Sequence, residues 1–361
     1  MSLDVPPDAL RHAGDLQAQV NAILVGWRLS APCVETTARG LLYADLHGID
    51  SHGVAMIPIY EKWLQQGRFN LDPKPRTVSE TAVTAMIDGD HSMGFFPAYL
   101  ATDLAIEKAR EHGVAVVAVN RSNHFGAAGQ YAKRAADQGL IGFATSNTVD
   151  VAVVPTGGRE SRFGTNPLAF SAPADGQRPF LLDMATSTVA LGKLMAAHYR
   201  GESIPTGWAL DELGQPTTDP ARGYAARRAT PLGGTAQLSS HKGYGLAAMV
   251  EILSSAMTGA RWAPDSDPAA ISPLGNVGHC FIVIDPAKFG SEYGLAQAVG
   301  RMMQVLRDTP AVDPQQPVKV PGDPEYEALA QRQVEGIPLP GALMSALRGV
   351  ALRAGAPWLL D

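Results

Sequence analysis

Helical periodicity occupies both ends of this chain, and short apolar runs of strand length occupy its middle. That division constrains the fold more than any single motif. A helix and a sheet each carry one apolar face, and each must find a partner layer to bury it. Val20, Ile23, Leu24 and Trp27 recur at helical spacing, as do Val34, Ala38, Leu41 and Leu42, so residues 8–48 read as helical. Helical stretches at about 323–335 and 341–354 close the chain, after a Pro-rich extended connection over 310–323. Between them, 81–88, 114–119, 141–146, 151–154, 168–172, 180–184 and 279–285 read as strands. Helices are predicted over 97–112, 127–138, 185–200, 239–257 and 294–306, and 201–235 reads as a long loop. The expectation is an α/β (α+β) chain. Residues 1–75 together with 310–361 form a helical domain, and 76–309 form an α/β domain.

Composition narrows the partners. At 361 residues, 45% hydrophobic and 18% charged, the chain has enough apolar surface for one large or two modest cores. A formal charge of −6 leaves no basic footprint for nucleic acid. No apolar run approaches membrane-spanning length, and no basic-then-apolar leader opens the chain. Cys33 and Cys280 give no disulfide framework, so a cytoplasmic location is expected.

The densest chemistry is His47-Gly48-Ile49-Asp50-Ser51-His52-Gly53, set between two helical segments. Gly48 suits a left-handed helix stop. Asp50 or Ser51 can cap the next helix, and Pro58 inside its pattern predicts a kink. His52 then falls in a first helical turn, whose positive end favours a neutral ring able to exchange a proton near neutral pH. A plain polar turn accounts for the same residues. So does a metal site on His47, Asp50 and His52, as in a metal-dependent lyase or hydrolase. One regular helical face cannot present two histidines five residues apart, so no metal is expected.

A second polar stretch, Asn120 to Tyr131, carries His124 between a buried strand and a helix, where α/β proteins hold ligands. Loops bearing Ser146-Asn147, Gly164-Thr165-Asn166-Pro167 and Asp183-Met184-Ala185-Thr186-Ser187 can offer N–H groups to phosphates or to a polar substrate. Ordinary turn chemistry also explains them. Gly243, Gly245 and Ala248 match the dinucleotide fingerprint formally, but no apolar strand precedes them, which argues against a Rossmann site. Lys242 near a helix start still suits a phosphate. Phosphate-binding loop, H-E-x-x-H, paired C-x-x-C and G-x-S-x-G motifs are all missing from the sequence.

Taken in order, Asp50-Ser51-His52-Gly53-Val54, Asn123-His124-Phe125-Gly126, Gly164-Thr165-Asn166-Pro167, Asp183-Met184-Ala185-Thr186-Ser187, Lys242-Gly243-Tyr244-Gly245-Leu246-Ala247 and Val320-Pro321-Gly322 resemble the malate/L-lactate dehydrogenase family that lacks a Rossmann domain. The resemblance covers nearly the whole chain. It implies an oxidoreductase using NAD or NADP on a small carboxylic acid, a non-Rossmann α/β cofactor domain with a mixed sheet, and a homodimer. It further implies that nicotinamide and substrate sit between the helical and α/β domains.

By the match, His52 corresponds to the proton donor and His124 to a second catalytic histidine. Ser51, Met56, Tyr60, Asn147, Thr165 and Asn166 fall on the substrate side. Pro179, Phe180, Leu181, Leu182, Asp183, Met184, Ala185, Ser187, His241, Lys242, Gly243 and Gly322 fall on the cofactor side. Family members acting on malate-like or lactate-like acids commonly carry arginine three residues after the motif glycine, where this chain has Met56. Cyclic imine carboxylates, which relatives of the family reduce, are therefore an alternative substrate class. A cofactor-binding protein without catalysis is a further one.

Overall fold

The structure, a computed structural model, describes residues 8–148, 150–262, 264, 274–290 and 294–360. In chain order the elements are β1 (Ala9–Arg11), α1 (Ala13–Gly26), α2 (Ala31–Leu46), α3 (Ile57–Gln65), β2 (Arg76–Glu80), β3 (Thr84–Asp88), α4 (Phe95–His112), β4 (Val114–Ser122), α5 (Gly129–Ala136), β5 (Ile141–Ser146), β6 (Leu168–Ala172) and β7 (Phe180–Met184). They continue with α6 (Leu191–Tyr199), β8 (Ala209–Leu210), β9 (Pro216–Thr217), α7 (Pro220–Ala226), α8 (His241–Glu251), β10 (Val277–Ile284), α9 (Leu295–Arg307), α10 (Asp323–Glu335), β11 (Ile337–Leu339) and α11 (Gly341–Arg353).

Seven strands form one mixed sheet in the order β2-β3-β4-β10-β5-β6-β7. Only β3 and β4 run parallel; the other neighbours are antiparallel, so the sheet is not doubly wound. On one face Val117, Val119, Phe281 and Val283 pack against Ala105 and Ile106 of α4 and Ala132 and Ala135 of α5. The other face of β10 meets Ile252–Ala256, where α8 widens into a π-helical turn. A Cβ on Gly278 would stand 1.7 Å from the Ser254 carbonyl oxygen, so only glycine lets this turn lie on the strand.

A separate apolar cluster joins the two ends of the chain. Leu16, Ile23, Leu41, Tyr60, Ile337, Leu347 and Val350 are buried together, and Phe95 at the start of α4 inserts among them. β1 pairs antiparallel with β11 beside this cluster. No helix among the described residues is long and apolar enough to cross a membrane.

Several elements differ from the sequence reading. Residues 9–11 are strand rather than helix, because three residues paired across the chain show no periodicity of their own. The predicted strand 81–88 is the second half of a hairpin; its partner β2 is exposed along its length and lacks the alternation that marks a buried strand. The stretch 151–154 makes only isolated bridges, from Val153 to Phe163 and Ala229. The helix expected from 185 begins at Leu191, because the Thr186 and Thr188 hydroxyls bond backbone carbonyls across the chain and hold the segment extended. The long loop 201–235 contains a short hairpin and α7, which Asp219 caps. Pro58 lies in the first turn of α3, where it is tolerated, and produces no kink.

Candidate active site

The His52 segment is held from behind by α2. The Asp45 carboxylate accepts the Val54 N–H at 2.9 Å. A Cβ on Gly53 would lie 1.7 Å from Asp45 Oδ1, so glycine is required for this approach. Burial pushes the Asp45 carboxyl up to about 7, against the Val54 bond that favours its charged form. Gly48 has φ +76° and turns the chain out of α2 as expected. The next steps differ from expectation. Asp50–His52 and Val54–Met56 are two separate single turns with Gly53 between them, so His52 and Met56 do not share one helical face. Neither Asp50 nor Ser51 caps α3. Asp50 pairs with Arg332, and the Ser51 hydroxyl bonds His52 Nδ1 at 2.9 Å. Met56 is 9% exposed and packs into the cluster of terminal helices.

His124 arrives from the opposite side, on the loop leaving β4. Asn123 Nδ2 donates to the His91 and Ser92 carbonyls at 3.1 and 2.9 Å, and Gly94 N–H donates to the His124 carbonyl at 3.1 Å. The His124 and His52 rings lie 5.4 Å apart, nearly parallel at 28°. Tyr60 Oη stands 2.7 Å from His124 Nδ1, and Gly126 N–H donates to the same nitrogen at 3.3 Å. A backbone N–H cannot accept, so Nδ1 is the acceptor and Nε2 carries the His124 proton. Burial, then the neighbouring His52 and His279 and the Arg68 charge, lower His124 to about 3. Burial also lowers His52 from the usual histidine value.

Three neighbours were not singled out from the sequence. Trp63, one turn beyond Tyr60 on α3, meets the His124 ring edge-on at 6.3 Å; its helical spacing from Tyr60 was the available signal. Arg68 lies over the Trp63 ring with its guanidinium carbon 4.3 Å from the centroid. His279 on β10 is fully buried between the Ser122 and Ser146 hydroxyls, at 2.8 and 2.9 Å, and stacks on Phe125 at 4.5 Å.

The expected substrate-side asparagines are wired elsewhere. Asn147 and Asn166 both donate to the Glu251 carboxylate, at 3.0 and 2.8 Å, and are 1% and 0% exposed. Burial raises Glu251, while the two amides lower it. The Thr165 carbonyl accepts the Thr186 N–H at 2.9 Å. His47 and Asp50 do not converge with His52: His47 Nδ1 donates to the Tyr43 carbonyl, and burial lowers that ring to about 4. No group of three or more His, Cys, Asp or Glu side chains among the described residues could hold a metal ion.

The residues expected on the cofactor side gather along the edge strand β7, which contains Phe180, Leu181, Leu182, Asp183 and Met184. Leu181 N–H donates to the Pro321 carbonyl at 3.2 Å, and Tyr326 Oη to the Pro179 carbonyl at 3.0 Å. The turn at Gly322, φ +102°, is thereby laid against the strand. Past Met184 and Ala185, Ser187 bridges Pro231 and Thr186 accepts the Leu232 N–H. A Cβ on Gly243 would meet the Leu232 backbone at 2.4 Å, so the start of α8, with exposed His241 and Lys242, leans on the same ribbon. Asp183 accepts the Gly129 N–H at 2.7 Å, which ties β7 to the loop that carries His124.

A family model described as malate/L-lactate dehydrogenase matches residues 12–348. The chain belongs to that family. It is an NAD(P)-dependent oxidoreductase with this family's mixed α/β fold. The malate dehydrogenase of Pyrococcus abyssi is 37% identical over 323 residues, 89% of this chain and 88% of that one. The crystal structure of malate dehydrogenase from Entamoeba histolytica superposes with a TM-score of 0.91 at 29% identity, covering 97% of this chain and 99% of that one. A Δ1-piperideine-2-carboxylate reductase from Pseudomonas syringae superposes at 0.84 with 30% identity, covering 95% and 100%.

Proposed function

We propose that this family member interconverts a small 2-hydroxy acid and its 2-oxo acid, with His52 as the proton donor in reduction and the acceptor in oxidation. The observation that carries this is the unequal wiring of two stacked imidazoles. Gly126 N–H locks His124 in one tautomer, so His124 presents a fixed Nε2–H to a substrate oxygen. The Ser51 hydroxyl can donate to His52 Nδ1 or accept from it, so that bond survives a change in protonation. His52 is therefore the ring free to exchange a proton.

The residues fit a nicotinamide dinucleotide. Lys242 and the N–H groups opening α8 suit its phosphates, and half-buried Phe180, Leu182 and Met184 offer an apolar wall to its rings. When bound, the nicotinamide gives up or takes back the hydride. Tyr60 holds the His124 ring in place, and Trp63 closes one side of the site against water. An imine carbon in place of the carbonyl leaves these roles unchanged, and the likeness to a piperideine-carboxylate reductase favours cyclic imine carboxylates as the second substrate class. The same reading includes a homodimer and a division into a helical unit of 1–75 with 310–361 around an α/β unit of 76–309. Fluorescence titration with NADH and NADPH, followed by a panel of 2-oxo acids and cyclic imine carboxylates, tests it. Turnover with at least one acid is expected, and failure of every acid with both cofactors would overturn it.

A further inference from the structure

A site that reduces a 2-oxo acid must neutralise the acid's carboxylate, and Met56, Asn147 and Asn166, expected on the substrate side, do not offer the charge for it. Position 56 offers a methionine packed into an apolar core. Asn147 and Asn166 are buried and bonded to Glu251. Arg68 is placed differently. Half-buried Arg68 holds its guanidinium over the Trp63 ring, and that indole packs edge-to-face with the His124 ring. Its backbone carbonyl is fixed by the Gly275 N–H at 3.1 Å and by Asn123 Nδ2 at 3.4 Å, one residue before His124.

No carboxylate of the described residues forms an ion pair with it. Asp150, the acid that acts on its charge, is taken by Arg227 at 2.7 Å. By contrast Arg121, Arg307, Arg332 and Arg353 each hold a carboxylate. A stacked guanidinium keeps its edge N–H groups free, in the planar fork that matches a carboxylate. A partly desolvated cation without a counterion is costly until an anion arrives.

We propose that Arg68 binds the substrate carboxylate next to the reacting carbon, supplying from the turn after α3 the charge that position 56 lacks. The inference rests on the dehydrogenase reading above. The site it describes takes a 2-oxo or 2-hydroxy monocarboxylate. The indole of Trp63 sets the spacing, with the guanidinium over its face and the His124 ring packed edge-to-face against it.

The test compares a 2-oxo acid with its uncharged 2-oxo amide in the wild type, Arg68→Leu and Arg68→Lys. In Arg68→Leu the KM for the acid should rise about ten- to hundredfold, the usual range for a lost bond to a charged group. The kcat/KM for the amide and the affinity for NADH or NADPH should stay unchanged. Arg68→Lys, which keeps the charge without the fork, should recover part of the loss. An unchanged KM for the acid in Arg68→Leu, or equal losses for acid and amide, would overturn the proposal. Oxamate binding to the cofactor-loaded protein, measured by calorimetry, makes the same comparison without turnover. Equal oxamate affinity in wild type and Arg68→Leu, or none in either, ends this proposal. Oxamate binding that depends on Arg68, in a protein that turns over no acid, would support it and end only the dehydrogenase reading.

Discussion

Two polar clusters in this molecule look alike as residue types and differ in what they leave unused. In the first, His52 and His124 face each other across a gap, and each has one ring nitrogen held by the protein and one outside the bonds described above. In the second, Asn147, Asn166 and Glu251 close on one another, with both carboxylate oxygens accepting amides. Both are built from groups that bind ligands elsewhere. The first keeps unused capacity on half-buried ring nitrogens, whereas in the second the one side-chain atom left without a partner, Asn166 Oδ1, is itself buried. Leftover capacity in a half-buried place marks a site, and groups buried and spent mostly on one another mark a framework.

The sharpest test of that contrast is His52→Ala. Turnover should fall by about 10²–10⁴, the usual consequence of losing a general acid, while cofactor titration stays near wild type. Steady-state kinetics showing wild-type kcat would dissolve the distinction. The framework cluster should respond in the opposite way. Asn166→Ala leaves Glu251 short of a donor and should cost about 1–3 kcal/mol in urea unfolding, with kcat of the folded fraction preserved. A smaller effect is expected from Tyr60→Phe, which keeps the ring packing and removes the hydroxyl on His124 Nδ1. About a tenfold loss of kcat, with little change in unfolding midpoint, would place Tyr60 on the site side of the comparison.

The last test is one of direction. Burial holds His52 below its ordinary value of 6.5, so the neutral ring dominates near neutral pH. Oxidation, which needs the neutral base, should rise with pH to a plateau, with a midpoint below the usual histidine value. Reduction, which needs the protonated ring, should gain as pH falls through the same midpoint. His124, at about 3, should add no second limb near neutrality. A profile whose midpoint survives His52→Ala would assign the titration to another group.

The two histidines were legible because each sits in a short run of glycine and polar residues between elements with clear periodicity. Arg68 was not. Nothing in Gly67-Arg68-Phe69 separates it from a surface arginine until Trp63 and the β4 loop are folded against it. Asn147 and Asn166 were legible as polar loop residues, but their partner stands 104 and 85 residues away along the chain. The same limit applies to the fold. Apolar strands such as β4, β6 and β7 read well, whereas exposed β2 and the short β1–β11 pair carry no local pattern. Strand order follows adjacent runs except at the centre, where the neighbour of both β4 and β5 comes from residues 277–284.

That central strand has a consequence for how the chain is made. β4 and β5 leave the ribosome early, yet they never pair with each other; the slot between them waits for a strand that begins about 130 residues after β5 ends. At ordinary synthesis rates the wait is on the order of ten seconds. Throughout it, two apolar strand edges face an empty place, and a direct β4–β5 pairing is the most accessible error. The loop that carries His124 leaves β4 at the rim of this slot, and His279 beneath it arrives only with the missing strand. Assembly of the proposed catalytic pair is therefore a late event in biogenesis, and a nascent chain stalled before residue 277 holds the His52 turn without a finished support for its partner.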